Sequence, residues 1–188
     1  INDAKIGGNQ ARGGDGVNGG SAHGGAATFA NSAVAIERAE VLNNLARSGN
    51  ANNAVNNSGS AGGGGIFATA TVSNTKRNLT INNSIFAANE VLSGVGKTLG
   101  GGGGGVGLSN IATTISHATI ADNKLPISQM YGAGLLVNSD SGLPSQTQVQ
   151  LGYSIVASHS NTSSAGIFIA ANALTSLHRN MFAGNLKD

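Results

Sequence analysis

Residues 78–89 have the sequence Asn78-Leu-Thr-Ile-Asn-Asn-Ser-Ile-Phe-Ala-Ala-Asn89, and this stretch decides the fold. The aliphatic residue Ile81 and the apolar residue Phe86 lie five positions apart. In a continuous strand an odd spacing puts two side chains on opposite faces, and in a helix five steps put them about 140° apart. If both side chains enter one core, the chain must bend between them, at the polar pair Asn83 and Ser84. The stretch therefore predicts two short strands joined by a bend.

The same pattern occurs at four other places in the chain, which makes it an internal repeat. Segments that begin at Ala33, Ala112, Gln148 and Leu174 align with residues 78–89 without gaps. Each segment has an aliphatic anchor, an apolar residue five positions later and a closing polar residue three positions beyond that. The anchors are Ile36, Ile81, Ile115, Leu151 and Leu177; the second apolar residues are Val41, Phe86, Ile120, Val156 and Phe182; the closing residues are Asn44, Asn89, Asn123, His159 and Asn185.

Repeats of this kind predict stacked coils, in which each strand pairs with its equivalents above and below. Stacking also places equivalent side chains in columns, so the closing residues should meet one another. Stacked asparagines hydrogen-bond along a column and tolerate the backbone of a bend. The closing asparagines Asn44, Asn89, Asn123 and Asn185 are therefore predicted to form a structural ladder, which accounts for part of the 23 asparagines in 188 residues.

Glycine-led apolar segments precede the repeats, for example Gly65-Ile-Phe67 and Gly134-Leu-Leu-Val137, and add a third strand to each coil. The Gly/Asn/Ser-rich stretches 45–64 and 90–104 are predicted to be long loops between coils. Residues 1–24 are expected to be either a Gly-rich loop or the remnant of a preceding coil, and residues 25–188 one repeat domain. A start inside such a stretch, without Met, leads us to expect a piece of a longer protein.

Composition excludes several classes of protein. The chain has no cysteine, so it forms no disulfide framework and no thiolate metal centre. It contains no apolar run long enough to span a membrane as a helix. Its 30 glycines lack the period of collagen. A net charge of +2 on a chain with 10% charged residues does not predict a nucleic-acid partner.

The Gly-Gly-Gly-Ile-Phe sequence at residues 63–67, together with residues 79–89, resembles the repeats of pectin-lyase-like surface and secreted bacterial proteins. It is especially similar to polymorphic outer-membrane-protein repeats, with their Gly-Gly-x-Ile and Phe-x-x-Asn elements. The resemblance covers residues 25–185. It implies an all-β fold, a right-handed parallel β-helix of about five coils with Gly/Asn-rich loops, in a protein that is extracellular or on the bacterial cell surface. The handedness follows from the resemblance alone.

The candidate functional residues flank the bends. By repeat register, a polar strip along one side of the coils is predicted, made of Glu37, Arg38, His117, Tyr153, His178 and Arg179. The strip could bind carbohydrate, mainly through Tyr153, or it could consist of ordinary solvated bend residues. Acid–base catalysis needs paired carboxylates, and Glu37 and Glu40 are the only close pair on a repeat. We therefore assign no catalytic residue, and because the four histidines share no ligand spacing, no metal and no cofactor.

These observations favour a non-enzymatic structural or adhesive β-helix: a stalk, an adhesin passenger or a filament subunit. A carbohydrate-binding or polysaccharide-degrading β-helix, with the strip as its site, is the alternative. The end of a β-helix is an open sheet edge that recruits further strands unless it is capped. We therefore expect self-association, or contact with neighbouring segments of a longer chain, with carbohydrate as a possible ligand.

Overall fold

The computed structural model describes residues 1–71, 77–97, 101–125, 131–139, 147–159, 166–170 and 173–185. Within these ranges the chain is all-β, with 22 strands and no helix. In chain order the strands are β1 (Lys5–Gly7), β2 (Gln10–Arg12), β3 (Ala22–His23), β4 (Ala27–Ala30), β5 (Val34–Glu37), β6 (Glu40–Leu42), β7 (Leu45–Arg47), β8 (Ala61–Gly62), β9 (Ile66–Thr69), β10 (Asn78–Asn82), β11 (Ile85–Ala87), β12 (Glu90–Leu92), β13 (Gly101–Gly102), β14 (Val106–Ser109), β15 (Ala112–Ser116), β16 (Thr119–Ala121), β17 (Leu135–Asn138), β18 (Gln148–Gly152), β19 (Ile155–Ala157), β20 (Ile167–Ile169), β21 (Leu174–His178) and β22 (Met181–Ala183).

The strands form five sheets, and every paired strand within them is parallel to its neighbour. The chain passes through the sheets in a repeating cycle, and we number them in that order from the sheet that contains β4. Sheet 1 has the order β20-β17-β14-β9-β4, sheet 2 β21-β18-β15-β10-β5, sheet 3 β1-β6-β11-β16-β19-β22, sheet 4 β12-β7-β2 and sheet 5 β13-β8-β3. Because the chain visits the sheets in the same order again and again, the fold is consistent with a β-solenoid.

The strand register confirms the alignment of the repeats. Ile81 pairs with Ile36 on one side and with Ile115 on the other. Phe86 pairs in the same way with Val41 and Ile120. Both columns continue into the last repeats, and they are buried as far as Leu151 and Val156. The two anchors of the first four repeats therefore fill one core, whereas Leu177 and Phe182 of the last repeat are exposed.

The predicted bend between the anchors has a specific backbone cause. The residue two positions after each anchor lies in the left-handed region, with φ between 48° and 52°: Arg38, Asn83, His117, Tyr153 and Arg179. A single left-handed residue interrupts the strand and resets its alternation of faces. The residue that follows it turns inward, so that Ser84 is buried and its hydroxyl accepts a hydrogen bond from the Ala39 amide at 3.1 Å.

The closing asparagines lie in one column inside the second bend. Asn89 is fully buried, and its Oδ1 accepts from the Asn44 amide and from Asn44 Nδ2, at 3.0 and 2.9 Å. Its own Nδ2 donates to Asn123 Oδ1 at 3.1 Å and to the Val41 carbonyl at 2.8 Å. Asn185 Oδ1 accepts from the His159 amide at 3.4 Å. At the other end Asn9, which the repeat alignment did not include, donates to Asn44 Oδ1 at 3.0 Å.

The expectation of long loops at residues 45–64 and 90–104 is wrong. These stretches contain β7, β8, β12 and β13, which stack in sheets 4 and 5. Residues 1–24 contribute β1, β2 and β3 to sheets 3, 4 and 5. A full coil therefore has five strands rather than three. The extra strands are two or three residues long, and apart from Val91 in β12 their buried residues are alanine or glycine, which is too little for a periodic apolar pattern.

Glycine fills the interior beside sheets 4 and 5. A Cβ at Gly49 would overlap the carbonyl oxygen of Gly14, and one at Gly13 would overlap that of Gly20. The facing backbones are also bonded to each other, since the amides of Gly49 and Gly20 donate to the carbonyls of Gly20 and Gly14, both at 2.8 Å. The walls of the coil touch here without side chains between them. We call this part of the fold, residues 9–22 and 45–62, the glycine lobe.

Replacing Asn89 by alanine tests the ladder. The change removes the side-chain partner of the buried Val41 carbonyl and of the Asn44 amide, and one of the two donors to Asn123 Oδ1. It should lower the free energy of unfolding by about 3 kcal/mol. Asn52→Ala, at an exposed turn, is the matched control and should change it by less than about 0.5 kcal/mol. Urea unfolding measures both variants. Equal stabilities would show that the ladder contributes nothing.

The glycine lobe offers a second matched pair. Gly49→Ala forces a methyl group against the Gly14 carbonyl, and it should destabilise the protein by about 3 kcal/mol through overpacking. A Cβ at Gly14 meets nothing within 4 Å. Gly14→Ala should therefore be neutral or slightly stabilising, because alanine has less conformational entropy to lose on folding. Thermal unfolding of the two variants should separate them clearly, and similar midpoints would contradict backbone packing in the lobe.

Candidate functional site

The predicted polar strip exists as a column of side chains at the bend between sheets 2 and 3. Arg38, His117, Tyr153 and Arg179 occupy the left-handed position of the first, third, fourth and fifth repeats, and Asn83 occupies that of the second. Glu37 and His178 lie beside them at the ends of β5 and β21. The ladder asparagines, by contrast, lie inside the coil and away from the strip. The structure thus brings together all six predicted residues along one edge, divided into a charged lower part and an aromatic upper part.

The charged part consists of ion pairs between coils. The Arg38 guanidinium bonds both carboxylate oxygens of Asp3, at 2.6 and 2.9 Å, and pairs with Glu37 Oε1 at 2.8 Å. The hydrogen bonds that Arg38 donates to the Asp3 carboxylate lower the pKa of Asp3, and the same interaction raises the pKa of Arg38. All three side chains remain substantially exposed to solvent. Arg38 therefore holds the N-terminal residues to the next coil, and its charge is already paired.

The aromatic part is stacked on itself. The rings of His117 and Tyr153 are parallel, with 3° between their planes and 5.2 Å between their centroids. The Arg179 guanidinium lies over the Tyr153 ring at 5.6 Å, and the His178 ring meets it edge-on at 5.6 Å. Tyr153 therefore has neighbours from the coils on both sides. Tyr153 as a whole is 49% exposed, but each face of its ring has a protein neighbour, so a ligand that stacks on a face has to displace His117 or Arg179.

A shallow cavity adjoins the strip on the outer face of sheet 2. It has a volume of about 230 Å³ and is lined by Ser116, Gln150, Tyr153 and His178, among others. Gly152 provides the opening, because it has no side chain between Ser116 and His178 in the same outward column. The lining offers hydroxyl and amide groups but no paired carboxylates. This cavity could accept polar groups of a ligand without reacting with them.

A second site, which the repeat analysis missed, lies where the outer faces of sheets 5 and 1 meet. This aromatic groove has a volume of about 190 Å³ and is lined by His23, Ser60, Phe67, Ser109, Leu136 and Asn138. The His23 and Phe67 rings stack at 4.5 Å with a 31° tilt. Tyr131 and Phe168 form a similar pair nearby, also at 4.5 Å. The sequence contained a signal for this groove in the strands that follow the glycines. The second residue of these strands is Phe67, Leu136 or Phe168, an apolar residue that points outward.

His23 and Ser60 resemble a catalytic pair, with Ser60 Oγ 3.4 Å from His23 Nε2, and Ser60 Oγ also bonds Ser21 Oγ at 3.1 Å. Which of the two atoms donates depends on the tautomer of the His23 ring. Among the described residues, the buried Nδ1 has no hydrogen-bond partner, so no third group orients the ring as an activated nucleophile–base pair requires. Burial also lowers the pKa of His23, so the ring is neutral at pH 7.

The described residues offer no metal centre. They include no group of three or more His, Cys, Asp or Glu side chains that could hold a metal ion. The same ranges contain no helical segment with the length and hydrophobicity needed to cross a membrane. Comparison with protein-family models, with curated protein sequences and with solved structures finds no match for the chain.

The buried His23 makes stability depend on pH. Its folded-state pKa lies below the ordinary 6.5, so the unfolded chain binds a proton more readily than the folded protein. The contribution of His23 to the free energy of unfolding is fully present above pH 6.5, and it should decrease as the pH falls through 6.5 towards the lowered pKa of His23. His23→Gln should lose this part of the pH dependence. Urea midpoints of both proteins across this range test it, and parallel curves would refute it.

Proposed function

We propose that this chain is a section of a right-handed parallel β-helix of about five coils, as in pectin-lyase-like bacterial surface proteins. Its role is structural or adhesive, without enzymatic activity, in a protein that is extracellular or on the bacterial cell surface. Stalk, adhesin passenger and filament subunit all use the same geometry. Stacked coils form a stiff column, and the outer faces carry the contacts with other molecules.

The upper end of the stack carries this proposal. Ile169, Leu177 and Phe182 continue columns whose previous members, Val137, Leu151 and Val156, are buried. On the last described coil they are 37%, 49% and 41% exposed. Among the described residues, no further strand pairs with the outer edges of β20, β21 and β22 in sheets 1, 2 and 3. This end face (Ile169, Leu177 and Phe182 with their strands) has the shape and chemistry that a further coil would complete.

The side chains along the strip support a structural role. Arg38 pairs with Glu37 in its own coil and with Asp3 of the neighbouring coil, and the stack at Tyr153 joins three coils. Each coil adds only about 4.8 Å of height, so the section described here is a short column. A long stalk or filament requires more coils on the end face, from neighbouring segments of a longer chain or from a second copy.

The second candidate function is carbohydrate binding or polysaccharide degradation at the strip. The cavity beside Tyr153 is the observation that favours it, because Ser116, Gln150 and His178 offer hydrogen bonds to hydroxyl groups. The engaged faces of the Tyr153 ring count against stacking of a sugar there. We therefore rank this function below the structural one.

Self-association through the end face is the direct test. Sedimentation velocity should show that the chain associates as its concentration rises, because exposed apolar columns and open strand edges pair with another coil. Phe182→Lys places a charge in that face and should shift the protein to monomer. Val55→Lys is the matched control, since Val55 is 81% exposed at a turn away from the end face, and it should behave like the unmodified chain. A chain that stays monomeric at every concentration would refute self-association.

A further inference from the structure

The opposite end of the stack carries the lowest members of the columns that reach the end face. Ile1 lies directly below Ile36, because its amino group and its carbonyl bond the backbone on either side of Ile36, at 2.8 and 2.9 Å. Ile6 pairs with Val41 and is the lowest described member of the second column. Ile1 is 41% exposed and Ile6 is half-buried. Among the described residues, no strand pairs with the lower edge of β1.

The column of left-handed residues at the bend ends in opposite charges. Asp3, with φ of 48°, lies below Arg38, so it is the lowest described member of the column whose highest member is Arg179. The Asp3 side chain is 63% exposed despite its bonds to Arg38, and a carboxylate can accept from more than one guanidinium. Arg179 is exposed, and it has no ion pair among the described residues. We call Ile1, Asp3 and Ile6, with their strands, the lower face.

The lower face of one copy fits the end face of another. Stacking the two continues the columns in the parallel register used inside the protein, at a spacing of about 4.8 Å. The pairs that meet are Leu177 with Ile1, Phe182 with Ile6, and Arg179 with Asp3. Sheet 1 stays outside this contact, because β4 lies almost a full turn beyond Ile1 along the chain and so stands one strand too high to pair with β20. The contact is therefore confined to sheets 2 and 3.

Two end faces do not fit each other in this way. A two-fold arrangement centred on the bend reverses the direction of the strands, so the parallel register of the stack is lost. It also places Arg179 against Arg179 of the second copy, and like charges at paired positions repel. The charge at the bend therefore favours a lower face, with its carboxylate, as the partner of the end face.

We propose that the end face binds the lower face of a second copy, so that the chain associates head to tail. This inference rests on the self-association proposed above and names the surface that the end face meets. Each head-to-tail contact leaves one end face and one lower face free, so association can continue into a linear filament instead of stopping at a symmetric dimer. Because only two sheets meet, the contact is small, and the association should be weak and reversible.

Mixing two blocked variants tests the direction of stacking. Phe182→Lys blocks the end face and Ile6→Lys blocks the lower face. Each variant alone should therefore stay monomeric in sedimentation velocity at concentrations at which the unmodified chain associates. An equimolar mixture should form a complex with one copy of each, because the intact lower face of the first variant meets the intact end face of the second. Circular dichroism checks that both variants fold.

A charge reversal keeps the test valid if Ile6→Lys unfolds the protein. The Arg179 side chain is exposed, so Arg179→Glu should fold normally. It places a carboxylate against Asp3 of the next copy and should weaken association several-fold. Lys97→Glu is the matched control, since it makes the same change of charge at an exposed position beside the glycine lobe, and it should associate like the unmodified chain.

The outcomes separate this inference from the proposal on which it rests. An unmodified chain that stays monomeric at every concentration overturns self-association as a whole. If the unmodified chain associates, the head-to-tail direction is overturned when folded Ile6→Lys associates equally well, as two end faces would. It is also overturned when the mixture forms no complex, or when Arg179→Glu and Lys97→Glu associate alike.

Discussion

Parallel, in-register pairing of equivalent strands is the constraint on which the rest of this structure depends. Each residue meets its own equivalents about 4.8 Å above and below, so side chains persist in a column only where they suit one another. Aliphatic residues do, and Ile36, Ile81 and Ile115 form the centre of the core. Asparagine does as well, because its amide both donates and accepts, and Asn89 uses both functions towards its neighbours.

The same constraint explains the low charge of the chain. Like charges directly opposite each other on neighbouring strands repel, so a stacked column cannot be charged throughout. Opposite charges meet between coils at Asp3 with Arg38, and at Lys5 with Glu40 at 3.2 Å. Arg12 and Arg47 are the like charges at paired positions, and Arg12 lies 3.9 Å from the carboxylate of Asp15. Further along the second column the pattern changes to Ile85 and Thr119, without charge. With 10% charged residues, the chain has few such pairs.

The core of sheets 2 and 3 was predictable because its residues are large and recur with fixed spacing. The anchor columns, the bend after each anchor and the contacts between the closing asparagines follow from that spacing. The left-handed backbone at Tyr153 supplies the physical reason for the bend. The six strip residues lie along one edge, but nothing in the sequence shows that the Tyr153 ring has protein neighbours on both faces.

Sheets 4 and 5 and the groove were not predictable by the same method. Their strands bury mainly Ala46, Ala61 and backbone, with Val91 as the one larger side chain among the described strands, and short runs of alanine and glycine have no periodic apolar signal. Glycine was interpreted as flexible loop, whereas in the lobe it allows backbones to touch. The groove depends on which residues of different coils become neighbours, such as Phe67, Gly107 and Leu136 in one outward column. That arrangement depends on how the coils stack on one another.

Hydrogen exchange of the glycine lobe, followed by NMR, tests the central claim most directly, because it asks whether these glycine-rich segments are stacked strands. The amides of Ser48, Gly49 and Ser58 donate to the carbonyls of Leu92, Gly20 and Lys97, at 2.8 to 3.0 Å. They should exchange as slowly as the amides of sheet 2, since both open only when coils separate. Exchange of these amides as fast as in an unstructured peptide, while sheet 2 stays protected, would contradict the account.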